Sequence, residues 1–562
     1  MLALALALLL ALGGSLGASS PARARPARAW IEGFGGSLPG WRFEGAVQAA
    51  RVRSEGQRLL ALAARPGGGE LSHPLRTGVG ALSFDLFLGP KTAVDVGLSP
   101  AARPALRLAR GKGAVRASVV GRGVMVADAP GERPLRGWLH LQATRDRRTI
   151  VGALNGHGFR LRYRKRPRLV FRLRRGRLQL DNLVRTSAAN RPLLLLHRLA
   201  DLEARVPRRL FLAGADTGDR LYLRREYWTR GFLAGALWRA ADLVGASDPF
   251  GRWALERTIA NFGYEHADTH DLGFVYENSS VLAYQRLCRG AKRRPRLCRR
   301  LRASGLAAAG ELVALAGTNY AAGTIPTRSD APSLTVADTI IDSMGNLPLL
   351  YWASDVTGDP VYRSVAARHA ERVASLLVRS DGSTAQAVYQ DRLTGEGLGV
   401  HTHQGISARS TWARGEGWAI YGFARAAGAL RDPELLSVAE RIAAWLDGHV
   451  PSSGVPPYDY DAPPGAPGDA SAAAISAAGL LRLSLLCRDW DLACEDAGRW
   501  QRLGERMLAG SLSQISRVPP IGFLGGQVGT YGGESWDDQA EMIYGLHYAL
   551  EAAVLDRSAR SR

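Results

Sequence analysis

Apolar and polar residues alternate along the first third of the chain. From about Trp30 to Ser187 the pattern has a period of two, and Gly and Pro recur between the runs. This alternation is typical of antiparallel strands with one buried face and one face in water. Several such runs separated by turn residues predict a β-sandwich over residues 30–187. The clearest runs are 81–87, 138–143 and 160–164.

The pattern changes to helical spacing near residue 190. From 190 to 558, Ala, Leu and Arg recur every three or four positions, and turn residues become rare inside the segments. We predict a linker or first helix over 188–209 and an all-α domain over 210–558, with about 12 helices for a region of this length. A closed toroid of six helical hairpins and an open solenoid both fit that number. The predicted apolar faces are Leu233, Leu237, Ala240 and Ala241; Ile340, Ile341, Met344, Leu347 and Tyr351; and Val438, Ile442 and Trp445.

The start of the chain has the pattern of a secretory signal peptide. Leu2 to Leu12 consists of Leu and Ala only, and small residues follow it. The run is shorter than the roughly 20 residues that cross a bilayer. It departs from the usual signal in having no Lys or Arg before the apolar run. We expect a signal peptide over 1–18, a linker over 19–29, a secreted or extracytoplasmic protein and no membrane span.

Length and charge narrow the class of protein. With 562 residues, of which 46% are hydrophobic, the chain exceeds one hydrophobic core and is expected to fold into several domains. The net charge of +22 comes mostly from Arg. It suits an anionic polysaccharide, a nucleic acid or a membrane surface as partner, but a compositional bias explains it equally well.

One segment concentrates this positive charge. Residues 160–177 contain ten basic residues and no acidic one. On a strand, Arg160, Arg162 and Arg164 would share a face, which either binds anionic polysaccharide or is an ordinary solvated face. The second is the more common case. Few aromatic residues interleave with the basic ones, so we expect no nucleic-acid binding.

The four cysteines form two close pairs in sequence. Cys288 lies near Cys298, and Cys487 lies near Cys494. In an exported chain this spacing favours two local disulfides, although four ordinary thiols also fit. No set of Cys and His has zinc-ligand spacing, so we expect no metal and no cofactor.

Four motifs in the second half carry a family resemblance. In their order and spacing they resemble those of glycoside hydrolase family 88, the unsaturated glucuronyl hydrolases, over most of 200–555. The family resemblance implies a six-hairpin (α/α) barrel. The segment 178–184 loosely resembles the last strand of concanavalin-like jelly rolls, so we expect a jelly-roll-like β-sandwich. The motifs are His270–Tyr276; Asp338–Trp352; His403–Gly405 with Trp412–Gly422; and Val455–Pro463 with Ser471–Ala474.

The resemblance also implies a reaction. The family removes 4,5-unsaturated uronic acid from the non-reducing end of oligosaccharides left by polysaccharide lyases. Water is added across the C4=C5 bond, and the resulting hemiketal opens and releases the rest of the chain. By resemblance, Asp342 is the acid/base and Asp271 its carboxylate partner. One carboxyl can deliver a proton and then accept one, provided that it starts protonated, so its pKa must be raised by burial or by a neighbouring carboxylate.

The remaining site residues are expected to hold the sugar. The Arg414 guanidinium can bind two oxygens at once. The indoles of Trp412 and Trp418 can stack on sugar rings, or they can belong to the core. Gln404 can orient water or a sugar hydroxyl, or it can be an ordinary loop amide.

The chain departs from the family pattern at three places. Gln386, which we also expect to bind the substrate, stands where the family has a His; a neutral amide can form hydrogen bonds but cannot carry a proton. Residues 326–330 lack the family's Trp, and the segment 536–541 replaces a Gly-Asp-Tyr type of run. Because both Asp residues are intact, we expect activity on a shifted substrate. The alternatives are an unsaturated rhamnogalacturonyl hydrolase, another helical-barrel glycosidase, and a binding protein without activity. Retention of both carboxylates argues against the last.

Overall fold

The computed structural model covers both predicted halves of the chain. The predicted signal peptide (1–18) and linker (19–29) lie outside the residues that the structure describes. The structure describes residues 30–561 except 33–41, 55–56, 75–80, 98–104, 111–113, 121–122, 126–137, 147–148, 156, 163–167, 187–190, 246–248, 289–293, 491–493, 495, 517–520, 524 and 531–538.

The first half is one large antiparallel sheet. Its path runs β7-β6-β5-β12-β3-β13-β4-β9-β10-β11-β8, with β1 paired to β13 and β2 paired to β3. The strands are β1 (Trp30–Glu32), β2 (Arg42–Ser54), β3 (Gln57–Pro74), β4 (Ala81–Leu88), β5 (Ala93–Gly97), β6 (Ala105–Arg110), β7 (Val115–Val120), β8 (Gly123–Met125), β9 (Trp138–Asp146), β10 (Thr149–Leu154), β11 (His157–Arg162), β12 (Arg168–Arg175) and β13 (Arg177–Thr186).

The sheet curls so that distant strands face each other. Phe84 of β4 and Phe171 of β12 are three strands apart along the path, yet their ring centroids lie 5.2 Å apart. Their neighbours on both sides form a single apolar core. In β11, Phe159 and Leu161 are buried while Arg160 is exposed, as the alternating pattern predicted.

Part of the basic segment is neutralised. Arg172 pairs with Glu70 at 3.0 Å, and Arg174 pairs with Asp95 at 2.8 Å. Both acidic partners come from other strands, so the sequence of the segment gave no sign of them. Arg164, predicted to share the face of Arg160, lies outside the described residues.

The second half is helical. Two small three-stranded sheets accompany the helices. One contains β14 (Phe211–Ala215), β15 (Leu221–Arg224) and β19 (Glu541–Met542), and the other contains β16 (Val336–Ile340), β17 (Ala387–Asp391) and β18 (Gly397–His401). The helices are α1 (Arg191–Arg205), α2 (Phe232–Val244), α3 (Phe250–Ile259), α4 (Leu272–Tyr276), α5 (Leu282–Leu287), α6 (Pro295–Gly317), α7 (Pro348–Thr357), α8 (Pro360–Leu377), α9 (Ala413–Leu430), α10 (Pro433–His449), α11 (Ala470–Asp489), α12 (Ala497–Ser513) and α13 (Ile543–Ser561).

The inner helices close into a ring. A π-helical turn at Glu277–Val281 joins α4 to α5, and this unit packs against α2 and α7. The ring continues through α7, α9, α11 and α13, and α13 packs back on α2. The outer helices α1, α3, α6, α8, α10 and α12 pack on it from outside. This closure selects the toroid over the open solenoid, a choice that the number of helices could not make.

Helix α11 shows how the inner layer is built. It is rich in Ala and Ser, and small side chains let neighbouring helices approach closely. A Cβ on Gly479 would lie 2.7 Å from the Tyr421 backbone nitrogen of α9. By length and composition, Ala470–Asp489 is the one helix in the described part of the chain that could cross a membrane, and most of it is buried inside the protein.

The segment around Asp342 is not one helix. The apolar face predicted from Ile340 to Tyr351 is divided among three elements: the end of β16, a 3₁₀ helix at Ile341–Asn346 and α7. Pro348 starts α7, since Pro is well suited to a first helical turn. Asp342 therefore lies in the 3₁₀ turn before the helix.

Both predicted cysteine pairs are disulfide-bonded. Cys288 is joined to Cys298, and Cys487 is joined to Cys494. The first bond joins the residue after α5 to the first turn of α6, and the second joins the last turn of α11 to a residue before α12.

Candidate active site

The two carboxylate-bearing segments pack directly on each other. Gly273, two residues after Asp271, lies so close to Asn346 that a Cβ would be 2.3 Å from the Asn346 carbonyl oxygen. The Asn346 Oδ1 accepts a hydrogen bond of 2.6 Å from the Phe274 backbone N–H. Gly is thus needed here for a close backbone approach, which brings the start of α4 against the 3₁₀ helix of Asp342.

Asp271 occupies the position before the first turn of α4. Its Oδ2 accepts a hydrogen bond of 2.9 Å from the Thr269 hydroxyl, and its Oδ1 lies 3.4 Å from His270 Nε2. The carboxylate is partly exposed. It can therefore meet a ligand while its neighbours fix its orientation.

Asp342 has the electrostatics of a proton carrier. The pKa of its carboxyl is raised to about 6, mainly by burial and also by the negative charge of Asp271. The positive charges of Arg414 and His270 act in the opposite direction but are outweighed. The Oδ2 atom is buried and has no hydrogen-bond partner among the described residues. Burial is thus the main cause of the shift, and the neighbouring carboxylate contributes as expected.

Gln386 and Gln404 form one polar unit. The buried Gln386 Oε1 accepts hydrogen bonds from the Thr402 hydroxyl at 2.6 Å and from the backbone N–H groups of His403 and Gln404 at 2.7 and 2.9 Å. Its Nε2 donates to Gln404 Oε1 at 2.9 Å. The Gln386 backbone carbonyl also accepts from the Ile341 N–H at 2.8 Å. Gln386 therefore fixes the loop that carries Gln404 against the residue before Asp342.

Arg414 is buried and already has partners. Its guanidinium donates to the backbone carbonyls of Val528 and Gly529, the latter at 2.7 Å, and lies 3.6 Å from an Asp469 oxygen. Gln404 Nε2 donates to the same Gly529 carbonyl at 3.2 Å. Arg414 is thus placed to hold the segment 528–529 and to act on Asp342 by its charge. A free two-pronged clamp on a sugar, as predicted, is not what this geometry offers.

The two tryptophans lie deeper than predicted. Trp418 is fully buried, with its ring 4.9 Å from Phe274 and 5.2 Å from Tyr548. It has no open face for a sugar, so its predicted stacking role gives way to core packing. Trp412 is 4% exposed, and the Arg414 guanidinium lies 4.4 Å from its ring centroid. It forms a cation–π contact with Arg414.

The structure adds residues to which the sequence assigned no role. His270 Nδ1 lies 2.8 Å from Ser343 Oγ, and Asp338 lies between His401 and His403. A His-x-His spacing was visible in the sequence, but its carboxylate partner comes from a distant strand. Glu416, whose pKa burial raises to about 8, accepts a hydrogen bond of 2.7 Å from the Thr384 hydroxyl.

The other two departures from the family pattern lie in the segments 326–330 and 536–541. Arg328 is largely exposed and lies 3.9 Å from Asp268 and 3.6 Å from Asp330. Residues 536–538 lie outside the described residues. Glu541, after them, is buried and paired with Arg198.

Known proteins resemble this chain in sequence and in fold. The unsaturated glucuronyl hydrolase of Bacillus sp. (strain GL1) is 34% identical over 341 residues, which cover 58% of this chain and 85% of that protein. The unsaturated chondroitin disaccharide hydrolase of Streptococcus pyogenes serotype M1 is 30% identical over 342 residues, covering 58% and 80%. No family model matches the chain.

Solved structures give the same result. A crystal structure of an unsaturated glucuronyl hydrolase specific for heparin superposes with a TM-score of 0.60 at 26% identity, covering 67% of this chain and 98% of that one. The Bacillus sp. GL1 enzyme superposes with a TM-score of 0.58 at 28% identity, covering 66% and 97%.

Fold, site and relatives define the class of protein. The closed helical ring superposes on these enzymes and the sequence is similar to theirs, which makes the chain a glycoside hydrolase. Within that class, the identity and coverage of its relatives show that it belongs to the family of unsaturated glucuronyl hydrolases, glycoside hydrolase family 88.

Proposed function

We propose that the protein removes 4,5-unsaturated uronic acid from the non-reducing end of oligosaccharides by hydrating the C4=C5 bond. The observation that carries this proposal is the Asp342 carboxyl, whose pKa is raised to about 6 by burial beside Asp271. A carboxyl of that kind is protonated often enough near neutral pH to act as an acid, and its conjugate base can then accept a proton.

The reaction needs two proton transfers in succession. Asp342 gives its proton to C4 while water attacks C5, and the Asp342 carboxylate takes the proton that the water loses. The C5 hemiketal then opens and releases the remaining saccharide with its new hydroxyl. Water is consumed and the carboxyl returns to its protonated form, so the cycle closes without a cofactor.

Asp271 is the second member of the site in this proposal. Its negative charge helps to keep Asp342 protonated, and its partly exposed oxygens can accept hydrogen bonds from sugar hydroxyls. Gln404 supplies an amide at the same site, fixed by Gln386 on one side and by the Gly529 carbonyl on the other. Arg414 supports this arrangement by donating hydrogen bonds to the backbone carbonyls of residues 528 and 529.

The relatives support a uronate substrate but leave the adjacent sugar open. Their names refer to unsaturated glucuronyl groups, to chondroitin disaccharides and, in one structure, to heparin. Because Gln386 replaces the family's His, the preferred sugar can differ from that of the relatives: an amide cannot carry the positive charge of an imidazolium.

A panel of unsaturated disaccharides tests the proposal. The near-ultraviolet band of the C4=C5 enol ether is followed with products of chondroitin, heparin, gellan and pectin lyases. We expect the band to disappear with at least one of them, and Asp342→Asn to slow its loss by about 10² to 10⁴-fold. Asp355→Asn, at an exposed carboxylate paired with Arg363, is the matched control and should keep the parent rate.

The same panel separates the alternatives. Loss of the band only with rhamnose-linked pectin fragments would identify a rhamnogalacturonyl hydrolase. Binding of the disaccharides with the band unchanged would contradict the proposal and indicate a binding protein without activity.

We also infer that the protein is exported and that its β domain is a jelly-roll-like sandwich. The two disulfides support export, because such bonds persist in oxidising compartments. The curled sheet with one enclosed core supports the sandwich.

Amino-terminal sequencing of the protein from the culture medium tests export: a start near residue 19 is expected, and retention of the whole protein in the cytoplasm would contradict it. We also propose that the domain binds anionic polysaccharide through exposed arginines such as Arg160. Weaker retention on heparin after Arg160→Ser is expected, and unchanged retention would contradict a role for this residue.

A further inference from the structure

Three side chains with metal-binding atoms converge beside the candidate active site. One oxygen of Asp338 lies 3.0 Å from His401 Nε2, and the other lies 3.0 Å from His403 Nε2. One ligand atom from each of the three residues lies within 4.8 Å of those from the other two. Nothing in the proposed hydration reaction uses this group.

The small sheet of β16, β17 and β18 creates the convergence. Asp338 of β16 is opposite Tyr389 of β17, and His401 of β18 is opposite Ala387, two residues earlier in β17. Opposite residues and residues two apart share a face of a sheet, so Asp338 and His401 share one face. His403, two residues beyond His401, continues that face into the loop.

The surrounding residues fix the imidazoles. The Tyr389 ring stacks on His401 with centroids 3.8 Å apart and planes 15° apart. The His403 backbone N–H donates to Gln386 Oε1 at 2.7 Å. Tyr389 therefore holds the His401 ring in place, and Gln386 fixes the backbone from which the His403 ring reaches the same carboxylate.

We propose that Asp338, His401 and His403 bind a divalent transition-metal ion of the zinc class. Two imidazoles and a carboxylate are a common ligand set for such ions, and three protein ligands leave a further position for water or a ligand. The exposed fraction of the side chain increases from Asp338 through His401 to His403. Asp338 is 8% exposed, His401 17% and His403 47%, so the group opens to solvent on the His403 side.

Two other features bear on the choice of this site. The described residues contain one more group of metal-binding types, Glu440 with Cys487 and Cys494, but its thiols are used in a disulfide. Asp342 follows Asp338 by four residues, and Gln386 joins the two places: its backbone carbonyl accepts from the Ile341 N–H at 2.8 Å, and its Oε1 accepts from the His403 N–H at 2.7 Å. The proposed ion would therefore be close to the carboxyl that we assign to proton transfer, and would tie the 401–403 segment to β16.

The experiment measures metal binding itself. Full-length, tag-free protein is stripped with a chelator, dialysed and titrated with ZnCl₂ in a calorimeter, and Co²⁺ is used as a spectroscopic probe of the same site. We expect one ion per chain and a visible Co²⁺ absorption typical of imidazole ligation. His403→Ala and Asp338→Asn should each weaken binding by about 100-fold or more, which exceeds the effect of losing an outer-shell partner.

Controls separate loss of the ligand from loss of the fold. His266→Ala removes an exposed histidine that pairs with Glu311, and it should bind as the parent does. Far-ultraviolet circular dichroism and thermal unfolding of the stripped variants show that each is folded, and His403→Gln serves as a second, conservative variant. Absence of saturable one-to-one binding in the parent overturns the proposal. So does parental affinity in folded His403→Ala and His403→Gln, which would leave the group as two hydrogen-bonded His–Asp pairs. Because hydrolysis is not the readout, either result leaves the proposed function untouched.

Discussion

His270 and Ser343 connect the two carboxylate segments of this enzyme, with His270 Nδ1 lying 2.8 Å from Ser343 Oγ. Each residue is the immediate neighbour of a site carboxylate, Asp271 in one case and Asp342 in the other. The contact is buried and spans 73 positions of sequence. Together with the close approach of Gly273 to Asn346, it fixes the relative position of the two acids.

Substitution of Gly273 tests this dependence. Gly273→Ala would place a Cβ 2.3 Å from the Asn346 carbonyl, so the two segments must separate. We expect the free energy of unfolding to fall by about 1–3 kcal/mol. We also expect kcat to fall, because the two carboxylates move apart. The matched control is Gly310→Ala in helix α6, where no atom lies within 4 Å of the added Cβ; it should be neutral or stabilising by up to about 1 kcal/mol. Parental activity of Gly273→Ala would show that the spacing of the two acids is not critical.

The pKa of Asp342 predicts the pH dependence of the rate. Because the carboxyl must start protonated, kcat/KM should fall as pH rises above about 6. Asp271 raises this pKa, so Asp271→Asn should move the descending limb to lower pH in whatever activity remains. The check is a pH–rate profile on the best substrate of the panel. A limb that stays in place or moves upward would mean that Asp271 does not act on Asp342 in this way.

Arg414 should act on the same limb in the opposite direction. Its positive charge lowers the pKa of Asp342, so Arg414→Met should move the limb to higher pH. Arg414→Lys keeps the charge but loses the paired contacts with the carbonyls of 528 and 529, and should reduce kcat/KM while leaving the limb nearly unchanged. Profiles are compared for variants that remain folded by thermal unfolding. An equal shift of the descending limb in both variants would mean that the lost contacts with the segment 528–529, and not the lost charge, cause it.

Glu416 predicts a pH dependence of stability. Burial raises its pKa to about 8, so the folded protein holds this proton after the unfolded chain has lost it. The resulting stability is complete below the ordinary pKa of 4.5 and is lost as pH rises through about 8, by up to about 1.4 kcal/mol per pH unit. Glu416→Gln should remove this decline, so its stability relative to the parent should rise from pH 5 to about pH 8 in denaturant unfolding and then level off. A constant difference across that range would contradict the raised pKa.

Gln386 predicts the outcome of restoring the family's histidine. Its Oε1 accepts three hydrogen bonds, from Thr402, His403 and Gln404. A neutral imidazole offers one acceptor, so Gln386→His leaves two of the three donors without this partner, at about 1–3 kcal/mol in total. We expect lower stability and lower kcat/KM, with Gln514→His at an exposed position as control. Higher activity would instead place residue 386 in contact with the sugar.

The sequence alone determined the division into a β half and a helical half. Its periods of two and of about 3.6 follow from which side chains face a core, and that information is local. The sequence also pointed to both carboxylates and to the disulfide pairs, because a motif and a short spacing are local too. It erred at Ile340–Tyr351, where one apolar face is shared by a strand end, a 3₁₀ turn and a helix.

Only the tertiary structure decided what each site residue contacts. Trp418 and Arg414 had suitable chemistry for a sugar, but the closed ring buries one against Phe274 and occupies the other with the 528–529 carbonyls. The raised pKa of Asp342 and the union of Asp338 with His401 and His403 arise in the same way. Burial and electrostatic coupling depend on groups brought together from distant parts of the chain, and a linear pattern does not contain those distances.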